Sequence, residues 1–242
     1  MLLGVETWVV VVLAVAVFVG AVVQATVGLG LGLIGAPVAG LVAPELLPEV
    51  LLWLATAMAA QTLVTEHRGT DWRGLGFALP PRVLGTVVGV WVVANAPVQT
   101  IGIAVGLMVL LSVLLTIRTV TLPVNRVTLP IAGLISGVAG TATSIGGPPL
   151  AILYQHHHPR VLRPTLAAYF AIGAALSLVG LGIAGELDGD VTLLALALSP
   201  ILALGVAASI PIRRRVPTRL IRTVVLVVCA ASAVALLVRS VL

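Results

Sequence analysis

The 242-residue chain contains no lysine, a single cysteine, 9% charged residues and 4% aromatics. Each shortage excludes something. A soluble domain carries roughly 25% charged residues, so this chain lacks the polar surface to cover a globule of its size. That excludes a soluble enzyme, a nucleic-acid-binding domain and a disordered protein. The one cysteine, Cys229, sits in an apolar run, which excludes a disulfide framework and a cysteine metal site. A membrane β-barrel needs alternating polar and apolar residues with aromatic girdles, and neither is present. With no lysine, all 13 basic residues are Arg, and they set the formal net charge of +5.

What the chain has in quantity is continuous apolar sequence, 60% hydrophobic overall, with 25 Gly and 15 Pro. Gly and Pro are commoner in membrane helices than in soluble ones. The chain therefore reads as an all-α polytopic membrane protein in contact with the lipid bilayer. The first 20 residues are apolar, but Glu6 stands before the run where a secretory signal would carry basic residues, so they read as part of the mature membrane domain. Apolar segments cover residues 7–43, 50–64, 75–94, 98–117, 127–153, 166–184, 191–210 and 220–237. A simple span takes about 20 residues. The first and fifth segments are longer, interrupted by Gly and Pro, and rich in small polar residues. No loop is large enough for a soluble domain, so residues 1–242 form one membrane domain.

The two halves look related. A shift of 112 residues lays Gln24-Ala25-Thr26-Val27-Gly28 on Ser136-Gly137-Val138-Ala139-Gly140, and Gly35-Ala36-Pro37 on Gly147-Pro148-Pro149. A shift of 120 then lays Gly69 on Gly189, Pro80 on Pro200 and Gly85 on Gly205. Recurrence in order through both halves indicates an internal duplication, with residues 1–119 as the first repeat and 120–242 as the second. The loops differ in charge. Glu66 to Arg73 is basic where Glu186 to Asp190 is acidic; the loop at Asn95 is uncharged where its counterpart holds Arg213, Arg214, Arg215, Arg219 and Arg222. Basic loops stay cytoplasmic, so equivalent loops lie on opposite sides, as in an inverted repeat. Parity then requires the first and fifth segments to enter and return on one side. Each half becomes a broken or re-entrant Gly-rich hairpin followed by three transmembrane helices, with six full crossings in all and both termini outside. A hairpin of two full spans would preserve the same parity. Eleven of the 13 Arg fall at the cytoplasmic surface; Arg82 and Arg239 are the exceptions.

The two broken segments are where chemistry is expected. Irregular backbone at membrane depth is tolerated only where it is buried in protein or lines a wet cavity. A Pro at the start of the second half-helix begins it without wasting an N–H. The freed N–H groups and the positive helix end make an anion site. Candidate substrate-binding residues are Gln24, Thr26, Gly28, Gly30 and Gly32 from the first copy. The second copy supplies Ser136, Gly140, Thr141, Thr143, Ser144, Gly146 and Gly147. The competing reading is that these glycines only permit close helix packing. Arg82 joins the candidates because it lies inside an apolar run. It is either a counter-charge for an anion or a side chain that snorkels to the headgroups. His156-His157-His158 reads as a loop at the inner interface, because adjacent residues seldom converge on one metal. Gln61, Thr56, Tyr169 and Ser177 read as helix-packing residues, and Trp8, Trp53, Trp72 and Trp91 as interface anchors. No cofactor is implied.

With these residues in view, the chain resembles the TauE/SafE family of membrane transporters. The resemblance rests on the duplicated Gly-rich, Pro-terminated segment, the Arg68-Gly69-Thr70-Asp71-Trp72 loop, and the Pro80, Gly85, Gly89 and Pro200, Gly205 spans. It covers nearly the whole chain. It implies a multi-pass permease of the bacterial inner membrane that exports sulfite, sulfoacetate or a related sulfur-containing anion. The chain departs from the family's fuller glycine pattern: its first copy alternates Gly with Leu, and Thr143-Ser144 stands where the first copy has Leu31-Gly32. The expected function is secondary transport of a small anionic substrate by alternating access around the two breaks. An anion-selective channel would use the same hairpins as a filter, and a membrane-embedded enzyme would need a nucleophile–base pair that is not found. A coupling proton or sodium ion and a homodimer are the remaining partners considered.

The proposed sidedness can be tested in a Cys229→Ser background. Asp188→Cys should react with a membrane-impermeant maleimide from outside, and Arg68→Cys only after permeabilisation. Labelling of Asp188→Cys from the cytoplasmic side alone would overturn the topology.

Overall fold

The computed structural model describes residues 5–28, 30–117, 122–215 and 218–241. A backbone that meets no water must close its own hydrogen bonds, and these residues do so as helices. The first half holds α1 (Thr7–Val27), α2 (Leu31–Val42), a 3₁₀ turn (Pro44–Leu46), α3 (Glu49–Thr65), α4 (Trp72–Asn95) and α5 (Val98–Ile117). The second holds α6 (Thr128–Thr143), α7 (Pro148–Tyr154), α8 (Pro159–Ala184), α9 (Gly189–Arg215) and α10 (Thr218–Val241). In each half a broken helix pair precedes three helices. The chain is a multi-pass membrane protein.

Six helices are long and apolar enough to cross a bilayer: α1, α4, α5, α8, α9 and α10. The sequence reading left the first segment as either re-entrant or two full spans; α1 is of spanning length and α2 is not, while α3, over the segment at 50–64, falls short by length alone. At 21 residues α1 rises about 31 Å, whereas α3 has 17 residues and rises about 25 Å. Pro48 precedes α3 and the polar Glu66 follows it, which limits its length. The first hairpin is thus one helix of spanning length and one returning helix of 12 residues; the second is shorter, 16 and 7 residues.

Helix faces sort as a lipid-exposed protein requires. On α4, Leu84, Val87 and Trp91 face outward while Leu75, Ala78, Arg82 and Thr86 are buried. Trp8, Trp72 and Trp91 are exposed, but Trp53 packs inside against two buried clusters and its Nε1 is buried, so it is not a surface anchor. Each helix pairs reciprocally across the halves. As α4 lies on α6, so α9 lies on α1; α3 lies on α8 and α5 on α10; α3 also touches α9 as α8 touches α4. Gly85 of α4 abuts Gly137 and Val138 of α6, and Gly205 of α9 abuts Phe18 and Ala21 of α1. These two glycines are the pair that the sequence shift superposes.

Polar contacts group the loops by face. The Glu49 carboxylate accepts from the Asp188 N–H at 2.9 Å and from Thr192 Oγ1 at 2.7 Å. Elsewhere Arg163 pairs with Glu66 at 3.6 Å, Tyr154 donates to Asp71 at 2.7 Å, and the Asp71 N–H donates to Thr165 at 2.9 Å. The loops that charge assigns to one side therefore touch one another. Arg118 lies outside the described residues, as do the side chains of Arg213, Arg214, Arg219 and Arg222. The three histidines are exposed on the turn between α7 and α8.

Backbone contact between α4 and α6 yields a prediction. A Cβ on Gly137 would strike the Arg82 carbonyl oxygen and come within 2.8 Å of the Thr86 nitrogen. Both are backbone atoms that cannot swing away, so Gly137→Ala should cost about 1–3 kcal/mol by overpacking, measured as a fall in thermal unfolding temperature in detergent.

Candidate functional site

The two helix breaks meet each other. In the first, Gly28 takes a left-handed conformation (φ 93°) that ends α1, and its N–H bonds the Gln24 carbonyl. Gly30 precedes α2, whose first N–H, that of Leu31, is capped by Gln24 Oε1 at 2.9 Å. In the second, Ser144 is left-handed (φ 60°), unusual for a residue with a side chain. Its hydroxyl donates to the Pro48 carbonyl at 2.8 Å, and Thr143 Oγ1 accepts from the Ile145 N–H at 3.3 Å. A Cβ on Gly32 would approach the Ser144 carbonyl oxygen to 2.9 Å, so the breaks touch through bare backbone.

The expected role of proline holds in one copy only. Pro148 and Pro149 begin α7, but Pro37 lies inside α2. The first break, at residues 28–30, falls about one turn earlier in the repeat than the second, at 144–147. Pro37 therefore leaves the Leu33 carbonyl without its helical donor instead of starting a helix. At α7 the paired prolines remove two N–H groups. Those of Gly146 and Gly147 remain, and among the described residues they meet no hydrogen-bond partner.

Between the breaks lies a cavity of about 60 Å³. Eight of the thirteen candidate residues line it: Gln24, Gly30, Gly32, Arg82, Gly140, Ser144, Gly146 and Gly147. Thr26 and Gly28 line a second cavity of about 560 Å³, which reaches His156 and Arg163. Gln24, Pro148 and Phe170 border both cavities. Ser136, Thr141 and Thr143 stand behind the wall and are fully buried. Thr141 bonds Ser177 at 2.8 Å and Thr143 bonds the Ala139 carbonyl at 2.7 Å, so these two hydroxyls are spent on the scaffold.

Arg82 decides the electrostatics. It is the tenth residue beyond the start of α4, about 15 Å along the axis, or half of a hydrocarbon core about 30 Å thick. Its side chain is 3% exposed, so it does not reach the headgroups. Nη1 donates to Ser136 Oγ at 2.7 Å, and the Ser136 hydroxyl in turn donates a hydrogen bond to the Gly146 carbonyl. The guanidinium thereby holds the second break in place. Its carbon lies 4.4 Å from the centre of the Tyr169 ring, within cation–π range. Nε is buried without a partner, and among the described residues no carboxylate pairs with Arg82. A buried charge is normally paired; here the residue lines the small cavity without a carboxylate beside it among the described residues.

The sequence reading missed the third wall. Leu52 and Ala55 of α3 and Phe170 and Ala174 of α8 close the cavity. They are apolar residues in plain spans with no composition signal. Tyr169 packs against a neighbour as expected, but that neighbour is Arg82.

Residues 12–236 match the family described as Sulfite exporter TauE/SafE. No curated protein and no solved structure matches the chain.

Ser136 is the most informative structural contact to remove. Ser136→Ala leaves both Arg82 Nη1 and the Gly146 carbonyl unsatisfied, at about 1–3 kcal/mol each. The variant should unfold at a lower temperature and bind a small anion about tenfold more weakly. Calorimetry on purified protein checks both.

Proposed function

Because the chain belongs to the TauE/SafE sulfite exporter family, we propose that it is a secondary transporter that exports a small sulfur-containing or carboxylate anion across the bacterial inner membrane. The observation that carries this reading is the unpaired guanidinium of Arg82 in a small cavity between two helix breaks. An anion there completes a charge pair that the protein leaves open. Arg also offers a planar fork that matches the oxygens of a sulfite or carboxylate group. The Gly146 and Gly147 N–H groups add donors of the kind that bind anions at helix breaks. A cavity as small as about 60 Å³ suits a compact anion.

The two cavities suggest the path. The anion enters the larger one from the face carrying His156 and Arg163, the cytoplasmic face in our topology. It then passes Gln24, Pro148 and Phe170 and reaches Arg82. At the opposite face, Ser144 bonds the Pro48 carbonyl and Glu49 holds the α8–α9 connection. The reciprocal helix pairing supports an inverted repeat, in which exchanging the conformations of the two halves opens the other face.

A thermal-shift screen with sulfite, sulfoacetate, thiosulfate and acetate tests the reading, because a ligand of the folded state raises its apparent stability. Sulfite should raise the unfolding temperature of the native protein and not that of Arg82→Ala. In vesicles, Arg82→Ala should reach native abundance and lose anion efflux. Native efflux by that variant would remove Arg82 from the site.

A further inference from the structure

Arg82 is held by Ser136 on one side and by the surface of α8 on another. Tyr169 and Gly173 are four residues apart on α8 and so share one face. The guanidinium lies against that face, over the Tyr169 ring. A Cβ on Gly173 would overlap Cζ, Nε and Nη2 of Arg82. Glycines in membrane helices usually admit a neighbouring backbone. Here the nearest atoms are all from one guanidinium, so what fills the space is a side chain. The Tyr169 hydroxyl is buried and meets no hydrogen-bond partner, so this position contributes its ring and not its polar tip.

We propose that Tyr169 and Gly173 are positioning residues that form a cradle for the Arg82 guanidinium and so set the size of anion the cavity accepts. The consequence for substrate rests on the reading that Arg82 binds the transported anion. The far wall shows how little tolerance there is. A Cβ on Gly140 would lie 3.3 Å from Arg82 Nη2 and 3.1 Å from the Gly146 Cα. A guanidinium pushed off α8 has only the cavity of about 60 Å³ to move into. Displacement therefore fills the space reserved for the anion and breaks the bond to Ser136. Tyr169 fixes the tilt of the guanidinium plane, and the missing side chain at Gly173 fixes its depth.

A double-mutant cycle on the full-length protein in detergent tests the cradle, with sulfite as the probe. Arg82→Ala ends the side chain at Cβ and so removes Nε, Cζ and Nη2, the atoms that a new Cβ would strike. Gly173→Ala alone should lower the unfolding temperature and weaken sulfite binding about tenfold or more. In the Arg82→Ala background it should change the unfolding temperature far less, the coupling expected of touching residues. Tyr169→Phe should behave as native and Tyr169→Leu should lose affinity. An equal fall from Gly173→Ala in both backgrounds, or no fall in either, overturns the cradle. If Gly173→Ala yields no folded protein, recovery of folded protein in the double variant supports the cradle and its absence overturns it. Unchanged sulfite binding by Arg82→Ala would overturn the substrate role of Arg82, while the melting-temperature cycle still decides the cradle.

Discussion

One guanidinium at mid-membrane depth, with no carboxylate beside it among the described residues, constrains everything around it. Arg at the centre of a membrane helix costs about 2.5–3.5 kcal/mol on insertion scales, and this one cannot recover the cost by reaching the headgroups. The protein surrounds it with partial compensation. Ser136 takes one Nη donor, the Tyr169 ring faces the charge, and α6 comes close enough through its glycines for its backbone to line the same space. None of these neutralises the charge. The residue lines the cavity between the breaks.

The breaks themselves follow from the bilayer as solvent. Non-helical backbone at this depth must find partners within the protein, and most of it does so locally. Gln24 caps α2, Thr143 takes the Ile145 N–H, and Ser144 spends its hydroxyl on Pro48. Ser136 joins this accounting to the charge, since one hydroxyl serves both Arg82 and the Gly146 carbonyl. Among the described residues the Gly146 and Gly147 N–H groups meet no hydrogen-bond partner, and both residues line the cavity.

The sequence made much of this visible, for physical reasons that differ by residue. The lack of charge forces membrane helices, and the Gly-Pro interruptions locate the breaks, because both effects act on the backbone locally. Arg82 stood out because a charge inside an apolar run is costly wherever it points. Its direction was not readable, since snorkelling and burial leave the same trace in one dimension. The roles of Thr141 and Thr143 were likewise hidden: a buried hydroxyl bonded to the scaffold and one facing a cavity are the same letter. The offset between the two breaks escaped because Pro37 and Pro149 align in sequence, while one is tolerated inside a helix and the other helps to begin one. Leu52, Ala55 and Ala174 carried no signal, because only the pairing of α3 with α8 brings them to the site.

Glu49 has a consequence for the energetics of motion. It is a buried carboxylate that begins α3 and grips the α8–α9 loop through two donors, the Asp188 N–H and Thr192 Oγ1. Hydrogen bonds to a charged group contribute about 1.5–3 kcal/mol each. Release of this latch would expose the carboxylate to water, which solvates it well, so the loss is partly returned. The contact between α3 and the α8–α9 connection is thus worth a few kcal/mol concentrated at one residue. That is the scale at which a minor conformer remains populated and a bound ligand can tip the balance between two states. A face sealed instead by broad apolar packing would have no such single point of release.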